Sequence, residues 1–219
     1  MQQETLAKIT GQARSAFAQC VAGKSCPMGW WSAVIITASS QRQAERFLDE
    51  IGRRTRRGTI PADARYLVVP DLDDCRIGSG GATLNALRVL AEQTLDPRVP
   101  DLKSWWATQR VFIVHSGGDA RRLPQYSLSG KLFSTLPIKT PWGDVSTVFD
   151  ELLVLSTSWV QRLAAGLVVA SGDVLLTFDA DGLHWDRPGV TGVGIPETPE
   201  VGAQHGVYVA DDQGRVYAF

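Results

Sequence analysis

The sequence predicts an α/β layered fold built on a mostly parallel sheet. Three observations carry that expectation. Short apolar, β-branched runs recur at Ala33–Thr37, Tyr66–Val69 and Val111–Val114. Segments of helical period separate them, and glycine-rich loops follow two of the runs. The chain has 219 residues, 44% of them hydrophobic, which is enough to fill one substantial core.

The elements follow in order. MQQETLAKITGQARSAFAQC reads as an amphipathic helix interrupted by Glu4, Lys8 and Arg14, without the continuous apolar core of a signal peptide. After the strand Ala33–Thr37, Ser40 is a natural N-cap for SSQRQAERFLDEIGRR, whose basic end suits the helix dipole. Arg53, Arg54, Arg56 and Arg57 there read as a solvated basic patch. Tyr66–Val69 leads through a polar loop into ATLNALRVLAE, Ala82 to Glu92, with leucine and alanine at helical spacing. Ser146 to Leu155 reads as a further helix, and Leu167–Ala170 and Val174–Phe178 as strand segments. HGVYVADDQGRVYAF has a hairpin pattern turning at Asp211 to Gly214. The paired tryptophans Trp30-Trp31 and Trp105-Trp106 precede strands and suit core packing better than base stacking.

Charge and cysteine usage narrow the function. A formal net charge of −1 argues against general affinity for nucleic acid or acidic membranes. Three cysteines without zinc-type spacing give neither a metal site nor a disulfide framework, which fits a reducing compartment. No run is long enough to span a bilayer, so a cytoplasmic protein is expected.

Chemistry concentrates where strands give way to loops. HSGGDARRLPQYSLSGKLF, His115 to Phe133, places Gly117 and Gly118 beside Arg121, Arg122 and Lys131. Glycine lets main-chain N–H groups approach a phosphate without a Cβ clash. Arg122 offers a planar fork for phosphate oxygens, and Lys131 adds a compact charge. Paired glycines alone more often make a tight turn; the added cations sharpen the pattern. The second loop, RIGSGGATLNAL, sets Gly78, Ser79, Gly80 and Gly81 just before a helix, where amides favour an anion or a purine edge. Its spacing departs from G-x-G-x-x-G, and a plain strand-to-helix turn competes with the nucleotide reading. Asp173, in Ser171-Gly172-Asp173 after an apolar strand, is the candidate metal carboxylate; Asp179 and Asp181 nearby either assist or shape a turn. His115, His184 and His205 are scattered and suit packing or hydrogen bonding better than catalysis.

The segments RIGSGGATLNAL, HSGGDARRLPQYSLSGKLF, VVASGDVLLTFD and HGVYV together resemble the GDP-fucose pyrophosphorylase domain of the fucokinase/fucose-1-phosphate guanylyltransferase family. The resemblance runs from about Trp31 to the end of the chain. It implies a Rossmann-like nucleotidyltransferase fold that transfers GMP from GTP to L-fucose 1-phosphate, releasing pyrophosphate, with Mg²⁺ as cofactor. It also implies that Gly117, Gly118, Arg122 and Lys131 form the phosphate loop and that Asp173 holds the metal. Pro124 directly follows Leu123, and no proline follows Lys131, both departures from the broader sugar-nucleotidyltransferase signature.

The chain stops at Val216-Tyr217-Ala218-Phe219 within an apolar strand pattern. Residues 1–219 are therefore expected to be the N-terminal part of one such domain, incomplete at its C-terminus and continued in a longer polypeptide. Two alternatives stand beside this reading: the N-terminal region of a bifunctional L-fucokinase, or a nucleotide-binding module without turnover of its own. The kinase P-loop, G-x-x-x-x-G-K-[ST], is absent from the sequence.

Overall fold

The computed structural model describes residues 2–24, 29–96, 98, 101–116, 126, 130–204 and 206–218. They divide into two compact units, Met1–Trp185 and Asp186–Phe219.

The first unit opens with α1 (Gln2–Val21), then β1 (Ala33–Ala38), α2 (Gln41–Arg57) and β2 (Arg65–Pro70). It continues through α3 (Gly78–Thr94), α4 (Leu102–Trp106) and β3 (Arg110–His115). A hairpin, β4 (Thr135–Lys139) and β5 (Val145–Thr147), precedes α5 (Val148–Val160) and β6 (Gly166–Ser171). The expected parallel sheet is present: four strands in the order β2-β1-β3-β6, every pairing parallel.

Why these strands form is plain from their burial. All six residues of β1, AVIITA, are buried, as a central strand covered on both faces requires. Val34, Ile36, Phe112 and Val114 face a core built with Phe17 of α1, Phe47 of α2 and Phe149, Leu152 and Leu153 of α5. Ala33, Ile35, Val111 and Ile113 face the other layer, with Ala86 and Leu90 of α3 and Trp105 of α4. The chain steps from β1 outward to β2, then returns across the sheet through α3 to β3 on the other side of β1. That reversal makes the carboxyl ends of β1 and β3 a topological switch point, where ligands sit in open α/β sheets.

Local signals explain the helix ends. Ser40 caps α2, its side chain accepting from the Gln43 amide, and Gly58 closes it. Thr147 and Asp150 form a reciprocal capping box that starts α5. Trp31 and Trp105 are buried in the two cores, as their positions before strands suggest.

The second unit holds α6 (Pro199–Gly202) and the antiparallel pair β7 (Val209–Ala210) and β8 (Val216–Ala218), with the hairpin turn where the sequence places it.

Four expectations need correction. Val174–Phe178 forms no strand, and the helix expected from Ser146 begins at Val148 after β5. The basic cluster at the end of α2 is not uniformly solvated, because Arg54 lies under α5. Its Nε and Nη2 donate to the two oxygens of Asp150 at 2.7 and 3.0 Å, and its Nη1 donates to Glu50 at 2.8 Å. The guanidinium also lies over the rings of Phe133 and Phe149. Cys20 is disulfide-bonded, against the expectation of reduced thiols, whereas Cys75 is free and exposed.

Candidate functional site

The carboxyl ends of β1, β3 and β6 lie side by side, with Thr37 in register with His115 and His115 with Ser171. The backbone is tightest just past β6. The Gly172 amide donates to the His115 carbonyl at 2.8 Å. A Cβ on Gly172 would fall 3.0 Å from that carbonyl oxygen and 3.1 Å from the Ser116 Cβ, so a side chain there would force the strands apart.

Lys131 reaches this edge from the other direction. Gly130 holds a φ of +66°, and a Cβ on it would fall 2.9 Å from the Phe47 ring, so glycine is required on both counts. Leu132 and Phe133 then anchor the 3-10 turn Lys131–Phe133 in the core. With its neighbours buried, Lys131 extends outward, and its Nζ donates to Asp173 Oδ2 at 2.9 Å. Ser171 Oγ donates to the other oxygen, Oδ1, at 2.6 Å. The Ser171 hydroxyl and then Lys131 hold the Asp173 carboxyl below the ordinary carboxylate range, outweighing its partial burial, so the group stays anionic. Both partners remain about half exposed, open to a ligand.

The second glycine segment lies within α3 rather than before it: Gly78, Ser79, Gly80 and Gly81 form the first turn of the helix. Thr83, one turn along, contacts His115 across the switch point, Oγ1 to Nε2 at 2.8 Å. The other ring nitrogen, Nδ1, lies 3.1 Å from Thr37 Oγ1. Burial pushes the His115 imidazole below its ordinary range, partly opposed by the charge of Asp71.

Gly117, Gly118 and Arg122 lie outside the described residues, so their placement rests on the sequence; Ser116 ends the described run ahead of them. Lys131 and Asp173, read separately from sequence, come together. Asp179 shapes a turn, its side chain accepting from the Asp181 amide, and Asp181 pairs with Arg162. Among the described residues no group of three or more His, Cys, Asp or Glu side chains converges as a metal cage. The Thr37–His115–Thr83 chain was not legible as a unit, although a histidine immediately before Ser-Gly-Gly is a usable signal for a loop anchor.

Two grooves flank the sheet. One of about 330 Å³, lined by Gln41, Pro70, Asp71, Leu72 and Asp73, opens at the carboxyl end of β2. The other, about 510 Å³, is lined by Leu87, Lys103, Trp106, Gly166 and Leu167 at the opposite end of β6, away from the charged pair. Size favours the latter; chemistry favours the strand ends, where the convergent polar groups are.

A parallel sheet with a switch point, glycine-rich turns and a lysine–carboxylate pair at its carboxyl edge defines a Rossmann-like nucleotidyltransferase fold. Residues 103–218 match the fucose pyrophosphorylase domain, and the chain belongs to that family. It is 35% identical over 196 residues to the bifunctional fucokinase/GDP-fucose pyrophosphorylase of Arabidopsis thaliana, covering 82% of this chain and 19% of that protein. It is 29% identical over 191 residues to the fucose-1-phosphate guanylyltransferase of Mus musculus, covering 85% and 30%. The corresponding protein of Homo sapiens is 28% identical over 185 residues, with 83% and 29% covered. The chain thus spans 19–30% of the length of these curated relatives. No solved structure matches the chain with comparable significance. Among the described residues no helix is long and apolar enough to cross a membrane.

Proposed function

We propose that the chain supplies the nucleotide side of a sugar-1-phosphate guanylyltransferase, moving GMP from GTP to L-fucose 1-phosphate to give GDP-fucose and pyrophosphate. Membership of the fucose pyrophosphorylase family carries this reading. A phosphate oxygen of the sugar phosphate attacks the α-phosphorus of GTP, the bond to the β-phosphate oxygen breaks, and pyrophosphate leaves with the electron pair. The phosphate monoester is largely ionised at neutral pH, so no general base is needed. The protein's work is positioning and charge neutralisation.

Lys131 leaves Asp173 for a phosphoryl oxygen as charge develops, and Arg122 and the amides of Gly117 and Gly118 stabilise the leaving group. The first turn of α3, Gly78 to Gly81, faces the nucleotide with its free N–H groups. Asp173 would hold Mg²⁺: its carboxylate is anionic and half exposed at a strand end, the hard oxygen donor that ion takes. When bound, that ion neutralises charge on the nucleotide phosphates.

Pyrophosphate release across a panel of nucleotides and sugar phosphates tests the proposal. The expected result is release only with GTP and L-fucose 1-phosphate together. GTP binding without release would replace it with a binding module, and phosphorylation of free L-fucose would replace it with a kinase.

A further inference from the structure

His115 ties the end of β3 to the glycine-rich first turn of α3, and the hydrogen bonds around it point to one set of proton positions. Thr83 Oγ1 donates its one proton to the Ser79 carbonyl at 2.9 Å. At 2.8 Å from His115 Nε2 it is therefore left to accept, which places the imidazole proton on Nε2. On the other side, Thr37 Oγ1 accepts from the Ser116 amide at 3.3 Å, leaving its hydroxyl proton for Nδ1 at 3.1 Å. A one-way chain results: Ser116 N–H to Thr37, Thr37 O–H to His115, His115 N–H to Thr83, and Thr83 O–H to the Ser79 carbonyl. It starts at the residue preceding Gly117 and ends among the glycines that open α3.

We propose that neutral His115, protonated on Nε2, is a positioning residue that fixes the glycine-rich first turn of α3 against the end of β3. The two segments can then act on one nucleotide. The effect on nucleotide binding rests on the guanylyltransferase reading; the chain of hydrogen bonds does not. Each member is satisfied only while the imidazole is neutral and in this tautomer. Imidazolium would turn Nδ1 into a donor and take away the acceptor of the buried Thr37 hydroxyl proton. Packing alone would need none of this polarity, since an apolar side chain fills the same space without two threonine partners.

Nitrogen-15 spectra of the ligand-free, histidine-labelled full chain test the assignment. At pH 7 the expected His115 pattern is the Nε2–H tautomer, with the resonance assigned by its loss in His115→Gln. An Nδ1–H tautomer or an imidazolium overturns the proposal. Hydrogen exchange at Ala82 to Asn85, the amides of α3 just beyond its free first turn, provides the second readout. In His115→Asn, which cannot reach Thr83, these amides should exchange roughly tenfold faster, about the effect of one lost hydrogen bond. His115→Gln, whose amide can replace the Nε2 donor, should stay near the wild-type rate. Equal rates in all three proteins overturn the coupling. GTP affinity in the same variants should follow the exchange rates. If the wild-type chain binds no GTP, the guanylyltransferase reading fails, while the spectra and exchange rates still decide the role of His115.

Discussion

Lys131 and Asp173 lie 42 positions apart in sequence and meet through a 2.9 Å ion pair at the carboxyl edge of the sheet. One arrives from the 3-10 turn Lys131–Phe133, anchored by buried Leu132 and Phe133, the other from the tight glycine turn after β6. The pair links a candidate phosphate cation to a candidate metal carboxylate, and with Ser171 the lysine holds that carboxylate below its ordinary range.

Lys131→Ala should therefore separate activity from stability. With both partners about half exposed, the ion pair adds at most about 1 kcal/mol to folding. Loss of a charge-assisted contact at the transition state should cost on the order of 2–4 kcal/mol, or roughly 10²–10³ in kcat. Pyrophosphate release alongside thermal unfolding checks it; unchanged kcat/KM would remove Lys131 from the mechanism.

Asp173→Asn should weaken GTP binding in the presence of Mg²⁺ far more than in its absence. The neutral amide keeps the hydrogen-bonding shape but loses the anionic oxygen a hard cation requires. Calorimetric titration with and without Mg²⁺ measures the difference, and equal losses would leave Asp173 as a partner for Lys131 and Ser171 only.

Arg54→Ala should destabilise the fold without touching the site. Its side chain is 12% exposed, and its removal leaves the 16%-exposed Asp150 without its bidentate partner. Loss of one member of such a buried pair costs about 3 kcal/mol, a drop of roughly 6–12 °C in Tm for a domain of this size. Arg53, one position away and 60% exposed, should tolerate alanine within about 0.5 kcal/mol. Urea unfolding of both variants makes the comparison.

Acid should destabilise the chain partly through His115. Its folded pKa lies below the ordinary 6.5 because burial outweighs the attraction of Asp71. The unfolded chain thus binds more protons as pH falls past that value, so stability declines from about pH 6.5 down to the folded pKa and rises with pH in that window. Unfolding free energies between pH 8 and pH 5 should show this slope in wild type and lose that share in His115→Gln. Identical slopes would mean His115 titrates alike in both states.

Much of the frame was legible because it is written locally. The β-branched run Ala33–Thr37 reads as a strand, and Ser40 announces α2 within a few residues of where it begins. The β4–β5 hairpin was hidden because TLPIK carries a proline and is largely exposed, so it shows no clean alternation. Val174–Phe178 has a strand's composition but no partner. Arg54 resembles its three arginine neighbours until α5 arrives, ninety-six positions later, to bury it. Lys131 and Asp173 were legible as residue types in telling places. Their contact was not, because it depends on a turn held by Phe47 and a crossing under His115.

The order β2-β1-β3-β6 also governs when the protein can come into being during synthesis. A nascent chain that has emerged as far as β2 holds only a two-stranded parallel pair, and the third strand, which must dock beside β1, begins at position 110. The apolar face of Val34 and Ile36 has only Phe17 and Phe47 to pack on until Phe149 and Leu152 leave the ribosome and complete its cover. Asp173 follows later still. Such distant parallel pairings are slow to form, so the half-made chain carries β-branched strands whose partners arrive only later.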